Sequence, residues 1–119
     1  FVEVLGRGKP LLVFPEGTRS EADEIKPFRS GAFIAAVRAG KPLVPVAIEG
    51  TYRLMRKHAV DSGDFAEPRP DARLVRVRIG QPLTAPAEGD FTQRVEWLRD
   101  AARDSVVAMH LGLRARGRG

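Results

Sequence analysis

Cysteine is absent from these 119 residues. Its absence excludes disulfides, thiolate zinc sites, iron–sulfur clusters and a cysteine nucleophile, and it leaves the redox compartment open. Any nucleophilic or acid–base chemistry must use oxygen or nitrogen. No apolar run approaches the ~18 residues that a membrane span needs. Aromatic residues are few, with one Trp, one Tyr and six Phe. The excess of 20 Lys+Arg over 15 Asp+Glu, a formal charge of +5, and the Arg-rich end raise the alternative of a nucleic-acid-binding module. Against it stand the scarcity of aromatics, the lack of a nucleic-acid motif and the position of Arg19 among acids, so no nucleic-acid partner is expected. With 43% apolar and 29% charged residues the composition is that of a globular protein, and the length allows one small domain.

Phe1, Val4 and Leu5 recur at helical spacing, with nothing before them to cap a helix and no basic leader. The simplest expectation is the tail of a helix that starts upstream, in a fragment of a longer protein. Gly6-Arg7-Gly8 closes it, and Leu11 to Phe14 then forms a short apolar run that predicts a buried strand. From Pro15 to Arg29 the chain reads as a long loop. Ser30 stands as N-cap of a helix over Gly31 to Ala39, stopped by Gly40.

A second apolar run, Leu43 to Ile48, predicts another strand, and two strands around a helix suggest a β-α-β unit with a parallel or mixed sheet. Pro45 lacks a ladder donor, which places that strand at an edge or at a bulge. Residues 51–73 read only as an irregular connection. In Leu74 to Ile79 the alternation of Val75, Val77 and Ile79 with Arg76 and Arg78 predicts a strand whose arginine side is wet. Asp90 and Gln93 resemble a capping box, and Phe91, Val95, Leu98, Ala102, Val106, Met109 and Leu113 then give the clearest helix in the chain. The stretch 114–119 is basic and glycine-broken, and is expected to fray.

Phe14-Pro15-Glu16-Gly17-Thr18-Arg19-Ser20 places glycine, hydroxyls, a carboxylate and a guanidinium at the exit of the first expected strand. Glycine lets the backbone approach a ligand, the hydroxyls of Thr18 and Ser20 can donate, and Arg19 offers a planar fork that fits phosphate or carboxylate bidentately. Strand ends of this kind are where open α/β sheets bind ligands. The competing reading pairs Arg19 with Glu16, Glu21 or Asp23 on the surface. Lys26 and Arg29 precede a helix N-terminus, which suggests a role near phosphates.

The wording of F-P-E-G-T-R-S over 14–20, K-P-F-R-S-G-A-F over 26–33 and G-K-P-L-V-P-V-A-I-E-G-T over 40–51 resembles the glycerolipid acyltransferases, in particular the 1-acyl-sn-glycerol-3-phosphate acyltransferase type. The likeness is specific over residues 9–51 and looser at V-R-V-R-I-G-Q-P-L over 75–83. It implies an α/β fold, here the C-terminal portion of one acyltransferase domain, with a mostly parallel or mixed sheet flanked by helices. It implies that Glu16, Gly17, Thr18 and Arg19 hold the acceptor, with Arg19 on its phosphate. Phe14, Pro15, Ser20, Lys26 and Pro45 are secondary candidates, Pro45 as part of the V-P-V block that shapes the pocket.

The reaction implied is acyl transfer from acyl-CoA or acyl carrier protein to the sn-2 hydroxyl of lysophosphatidate, with no cofactor and no metal, by an enzyme at the cytoplasmic face of the cell membrane. The family's base, the histidine of H-x-x-x-x-D, is not in this chain: five positions after His58 stands Gly63, and five after His110 stands Ala115. That motif and a further arginine-bearing block are expected upstream of Phe1, so the isolated chain should be inactive. A related acceptor, or a non-catalytic lipid-phosphate-binding fragment, are the alternatives.

Other residues carry plainer readings. His58 reads as an exposed loop residue, His110 as a side chain near a helix end, and Trp97 as core rather than membrane interface. Asp61, Asp64 and Asp71 are too scattered for a metal cluster.

Overall fold

A computed structural model of the chain describes residues 2–17, 25–50 and 75–118. Thr18, Arg19, Ser20, His58 and the three aspartates at 61, 64 and 71 lie outside the described residues. The short helix α1, Val2–Gly6, ends as its glycines require, with the Arg7 and Gly8 N–H groups donating to Val4 and Leu5 carbonyls and Gly8 at φ 76°. The run Leu11 to Phe14 is not a strand. A strand exists only through its ladder, and among the described residues none lies beside this run, which leaves Phe14 70% exposed.

Helix α2, Gly31–Ala39, has the predicted bounds. Gly40 at φ 65° and Lys41 donate back to Val37 and Ala36, the paired bonds of a Schellman stop. Ser30 occupies the N-cap position, yet its hydroxyl makes no cap bond and instead accepts from Arg99 Nη1 at 3.2 Å.

Strands β1, Val46–Glu49, and β2, Arg76–Ile79, pair antiparallel, with Val46 opposite Ile79 and Glu49 opposite Arg76. The parallel β-α-β unit is therefore not formed among the described residues. Pro45 interrupts the ladder as its missing N–H demands. Beyond it the pairing resumes at Leu43 and Leu83, so that Val44 and Pro45 face Gly80, Gln81 and Pro82, a bulge of one extra residue. The Gly80 N–H still reaches the Pro45 carbonyl at 2.8 Å. A Cβ at Gly80 would stand 3.0 Å from Pro45 Cγ and 3.1 Å from Met109 Cε, so any larger residue would have to push those side chains aside for the bulge to close against the last helix.

That helix, α3, spans Phe91–Arg118. Its start is the predicted capping box: the Gln93 N–H donates to Asp90 Oδ1 at 2.8 Å and the Asp90 N–H to Gln93 Oε1 at 3.0 Å. The backbone stays helical to Arg118 and so includes most of the basic stretch expected to fray. One stripe of α3 serves two partners. Val95, Leu98 and Ala102 bury themselves against Phe33, Ala36 and Val37 of α2, while Met109 and Leu113 pack on Ala47 of β1. Trp97 is not core: one position from Leu98, it turns off the stripe and is 47% exposed. His110 is buried beside that stripe rather than set in a helix end.

The hairpin corrects the expected sidedness of β2. Ala47 and Glu49, buried, share a face with their partners Arg78 and Arg76, and this face meets α3, where a Cβ on Gly112 would lie 3.8 Å from Arg78 Nη1. Val77 and Ile79 point the other way and are 57% and 70% exposed. Glu49 supplies the reason: at 1% exposure its carboxylate needs cationic company, and Arg76 Nη1 stands 3.8 Å away across the ladder. With a side-chain period of two, placing Arg76 and Arg78 on the face toward α3 places Val77 and Ile79 on the other, although Arg78 itself stays exposed.

Candidate functional site

The Phe14–Gly17 segment closes as a β-turn, with the Gly17 N–H donating to the Phe14 carbonyl at 3.1 Å. Proline second and glycine fourth are the residues such a turn favours, and Gly17 takes φ 75°, which other residues rarely adopt. The turn is then gripped by residues 25–29. The Arg29 N–H donates to the Pro15 carbonyl at 2.8 Å, and the Lys26 N–H donates to Glu16 Oε2 at 2.8 Å. Glu16 thus spends one oxygen on folding the loop back on itself.

The Arg29 side chain lies flat against Gly17: a Cβ there would be 2.5 Å from Arg29 Nε and 2.8 Å from its Cζ. Any side chain at 17 would expel that guanidinium, so the glycine is required twice, for its φ and for this approach. Arg29 is otherwise exposed. An exposed guanidinium therefore lies on the turn that precedes Thr18 and Arg19 in the sequence, a group able to meet an anion.

The gripping segment has its own anchors. Phe28 stacks on Phe33 with ring centroids 6.1 Å apart, which ties it to the α2–α3 core. From α3, Arg103 donates through Nη2 to the Ile25 carbonyl at 2.8 Å and through Nε to the Lys26 carbonyl at 3.4 Å. Arg99, one turn earlier on the same face, reaches Ser30. Sequence reasoning missed both arginines, because i,i+4 arginines beside an apolar stripe look like ordinary solvated charge.

Of the predicted residues, the structure brings together Phe14, Pro15, Glu16, Gly17 and Lys26. Pro45 packs instead at the junction of the sheet with α3, against Gly80. Among the described residues no group of three His, Asp or Glu side chains gathers as a metal site, and no helix is long and apolar enough to cross a membrane.

Comparison with known proteins finds relatives of the chain. Residues 1–49 match the family model described as Acyltransferase. A 1-acyl-sn-glycerol-3-phosphate acyltransferase of Brassica napus chloroplasts is 31% identical over 109 residues, 89% of this chain and 27% of that protein. The alpha form from Homo sapiens is 33% identical over 107 residues, 90% of this chain and 34% of that protein. The crystal structure of the 1-acyl-sn-glycerophosphate (LPA) acyltransferase of Thermotoga maritima superposes with a TM-score of 0.70 at 28% identity, over 96% of this chain and 42% of that one. The chain is similar to the acyltransferase family over residues 1–49, and to 1-acyl-sn-glycerol-3-phosphate acyltransferases over most of its own length. It spans about a quarter to a third of the two curated relatives, and its helices and antiparallel pair form part of an α/β acyltransferase domain.

Proposed function

We propose that the chain carries the acceptor-binding part of a lysophosphatidate acyltransferase. The observation that carries this reading is the closed Phe14–Gly17 turn, gripped from residues 26 and 29, with the Arg29 guanidinium laid on Gly17. Gly17, Thr18 and Arg19 hold the phosphate of 1-acyl-sn-glycerol 3-phosphate, Arg19 as a bidentate fork and Arg29 as a second cation. Glu16 contributes by closing the loop around them, and Pro45 shapes the pocket from the bulge.

Chemistry is completed by an H-x-x-x-x-D pair outside these 119 residues. Its histidine takes the proton of the sn-2 hydroxyl, and the oxygen attacks the thioester carbon of acyl-CoA or acyl carrier protein. The carbon–sulfur bond breaks, and the thiolate leaves with that proton. Work of this kind belongs at the cytoplasmic surface of the membrane, where acceptor and product reside. Alone, the 119-residue chain is inactive.

The test is Arg19→Lys in the complete enzyme. Loss of the fork removes one of two charge-assisted bonds to the phosphate, so the acceptor KM rises roughly tenfold with the donor KM unmoved. An unchanged acceptor KM would make Arg19 structural. Profiling glycerol 3-phosphate and other lysophospholipids alongside lysophosphatidate decides the acceptor.

A further inference from the structure

We propose that Arg103 is a positioning residue for the acceptor: from α3 it fixes the backbone of residues 25 and 26, and through them the Pro15–Gly17 turn. The inference rests on the acceptor-binding reading of that turn. Among the described residues the Arg103 guanidinium donates to carbonyl oxygens, of Ile25 at 2.8 Å and Lys26 at 3.4 Å. The peptide whose carbonyl is Ile25's has as its nitrogen the Lys26 N–H that grips Glu16 Oε2. One planar unit is thus held on one side by the helix and on the other holds the turn, so a rotation allowed by losing Arg103 is transmitted directly to Glu16.

Two further contacts act on the same segment. Arg99 holds Ser30 at the far end, and the Arg29 N–H holds the Pro15 carbonyl. Guanidinium suits the task because its fork can meet two successive carbonyls at once, which an ammonium on a flexible stem does less well. Elsewhere on α3 an equivalent bond serves a different purpose: Arg94 Nε donates to the Pro86 carbonyl at 2.7 Å, in the loop before the helix. That bond provides an internal control, since it is of the same kind and lies outside the turn and its grip.

The experiment measures steady-state kinetics of the complete enzyme with 1-acyl-sn-glycerol 3-phosphate as varied acceptor, using acyl-CoA or acyl carrier protein, whichever supports turnover. Arg103→Met should raise the acceptor KM about 10- to 100-fold, the scale of a small misplacement of a binding group, with the donor KM within about twofold. Arg103→Lys, which keeps one donor for the Ile25 carbonyl, should fall between. Arg94→Met should leave the acceptor KM at the wild-type value. In a Glu16→Gln background Arg103→Met should add less than it does alone, because both act through one peptide.

An unchanged acceptor KM in Arg103→Met, or an equal rise in Arg94→Met, would make Arg103 merely structural and overturn the proposal. Should Arg103→Met fail to fold, Arg103→Lys decides: a rise in the acceptor KM alone supports the role, and none overturns it. A wild type that transfers no acyl group to this acceptor removes the acceptor reading and the positioning role with it. An active wild type indifferent to position 103 sinks the positioning role only.

Discussion

Helix α3 holds two partners by different physics. Along its first half, Val95, Leu98 and Ala102 meet Phe33, Ala36 and Val37 in a dry apolar contact, and its arginines work at the rim, on carbonyls and a hydroxyl of the segment that grips the turn. Along its second half the hairpin offers Ala47, the buried Glu49 and two arginines, and the hairpin's own Val77 and Ile79 stay outside. The first half gains its stability from burial and can position a site rigidly. In the second half an ion pair occupies part of the interface, and desolvation offsets much of what such a pair gains. The candidate turn is attached to the half with the better core, which is where the phosphate site proposed above would gain the most rigidity.

The comparison breaks if the two halves respond alike to substitution. The largest loss is expected from Leu98→Ala, the most buried large side chain of the apolar half, at about 2 to 5 kcal/mol in urea unfolding. Arg76→Met, which leaves Glu49 buried with less cationic company, should cost about 1 to 3 kcal/mol. Replacing Glu49 by Leu at the same time should recover part of that loss, since a buried pair exchanged for apolar groups is often close to neutral. A double variant worse than Arg76→Met alone would mean that Glu49 stabilises the hairpin through bonds other than this one.

What was legible in the sequence was local. Gly40 after a helical stripe and Asp90 with Gln93 are signals whose partners lie within a few residues, and each produced the expected cap. The Phe14–Gly17 turn, inside what reads only as a long loop, has partners just as near and was not foreseen. The rest of what was not legible depends on distant partners. Leu11 to Phe14 carries strand composition, but composition does not supply a neighbour. Val77 and Ile79 read as an inward face until Glu49, on the opposite strand, reverses the sides. Arg99 and Arg103 act on a hydroxyl and carbonyls 69 to 78 positions away, and a carbonyl leaves no mark in a sequence. The likeness to the acyltransferases reached the turn residues themselves, but not the helix that holds them.

The smallest effect is the most discriminating, because sequence and structure disagree about it. Ser30 and Asp90 occupy the same position at the starts of α2 and α3, and by sequence alone each truncation to alanine should cost the usual ~1 kcal/mol of a lost N-cap. In the structure Asp90 Oδ1 takes the Gln93 N–H, whereas the Ser30 hydroxyl takes none and faces Arg99. Asp90→Ala should therefore cost about 0.5 to 2 kcal/mol in urea unfolding. Ser30→Ala should stay within about 0.5 kcal/mol, the range of a surface change away from any cap. The serine variant loses an anchor of the segment on the turn, so its effect should show in the acceptor KM of the complete enzyme more than in stability. Equal stability losses at the two positions would mean that Ser30 caps α2 in solution, and that Arg99 does not hold the start of that helix.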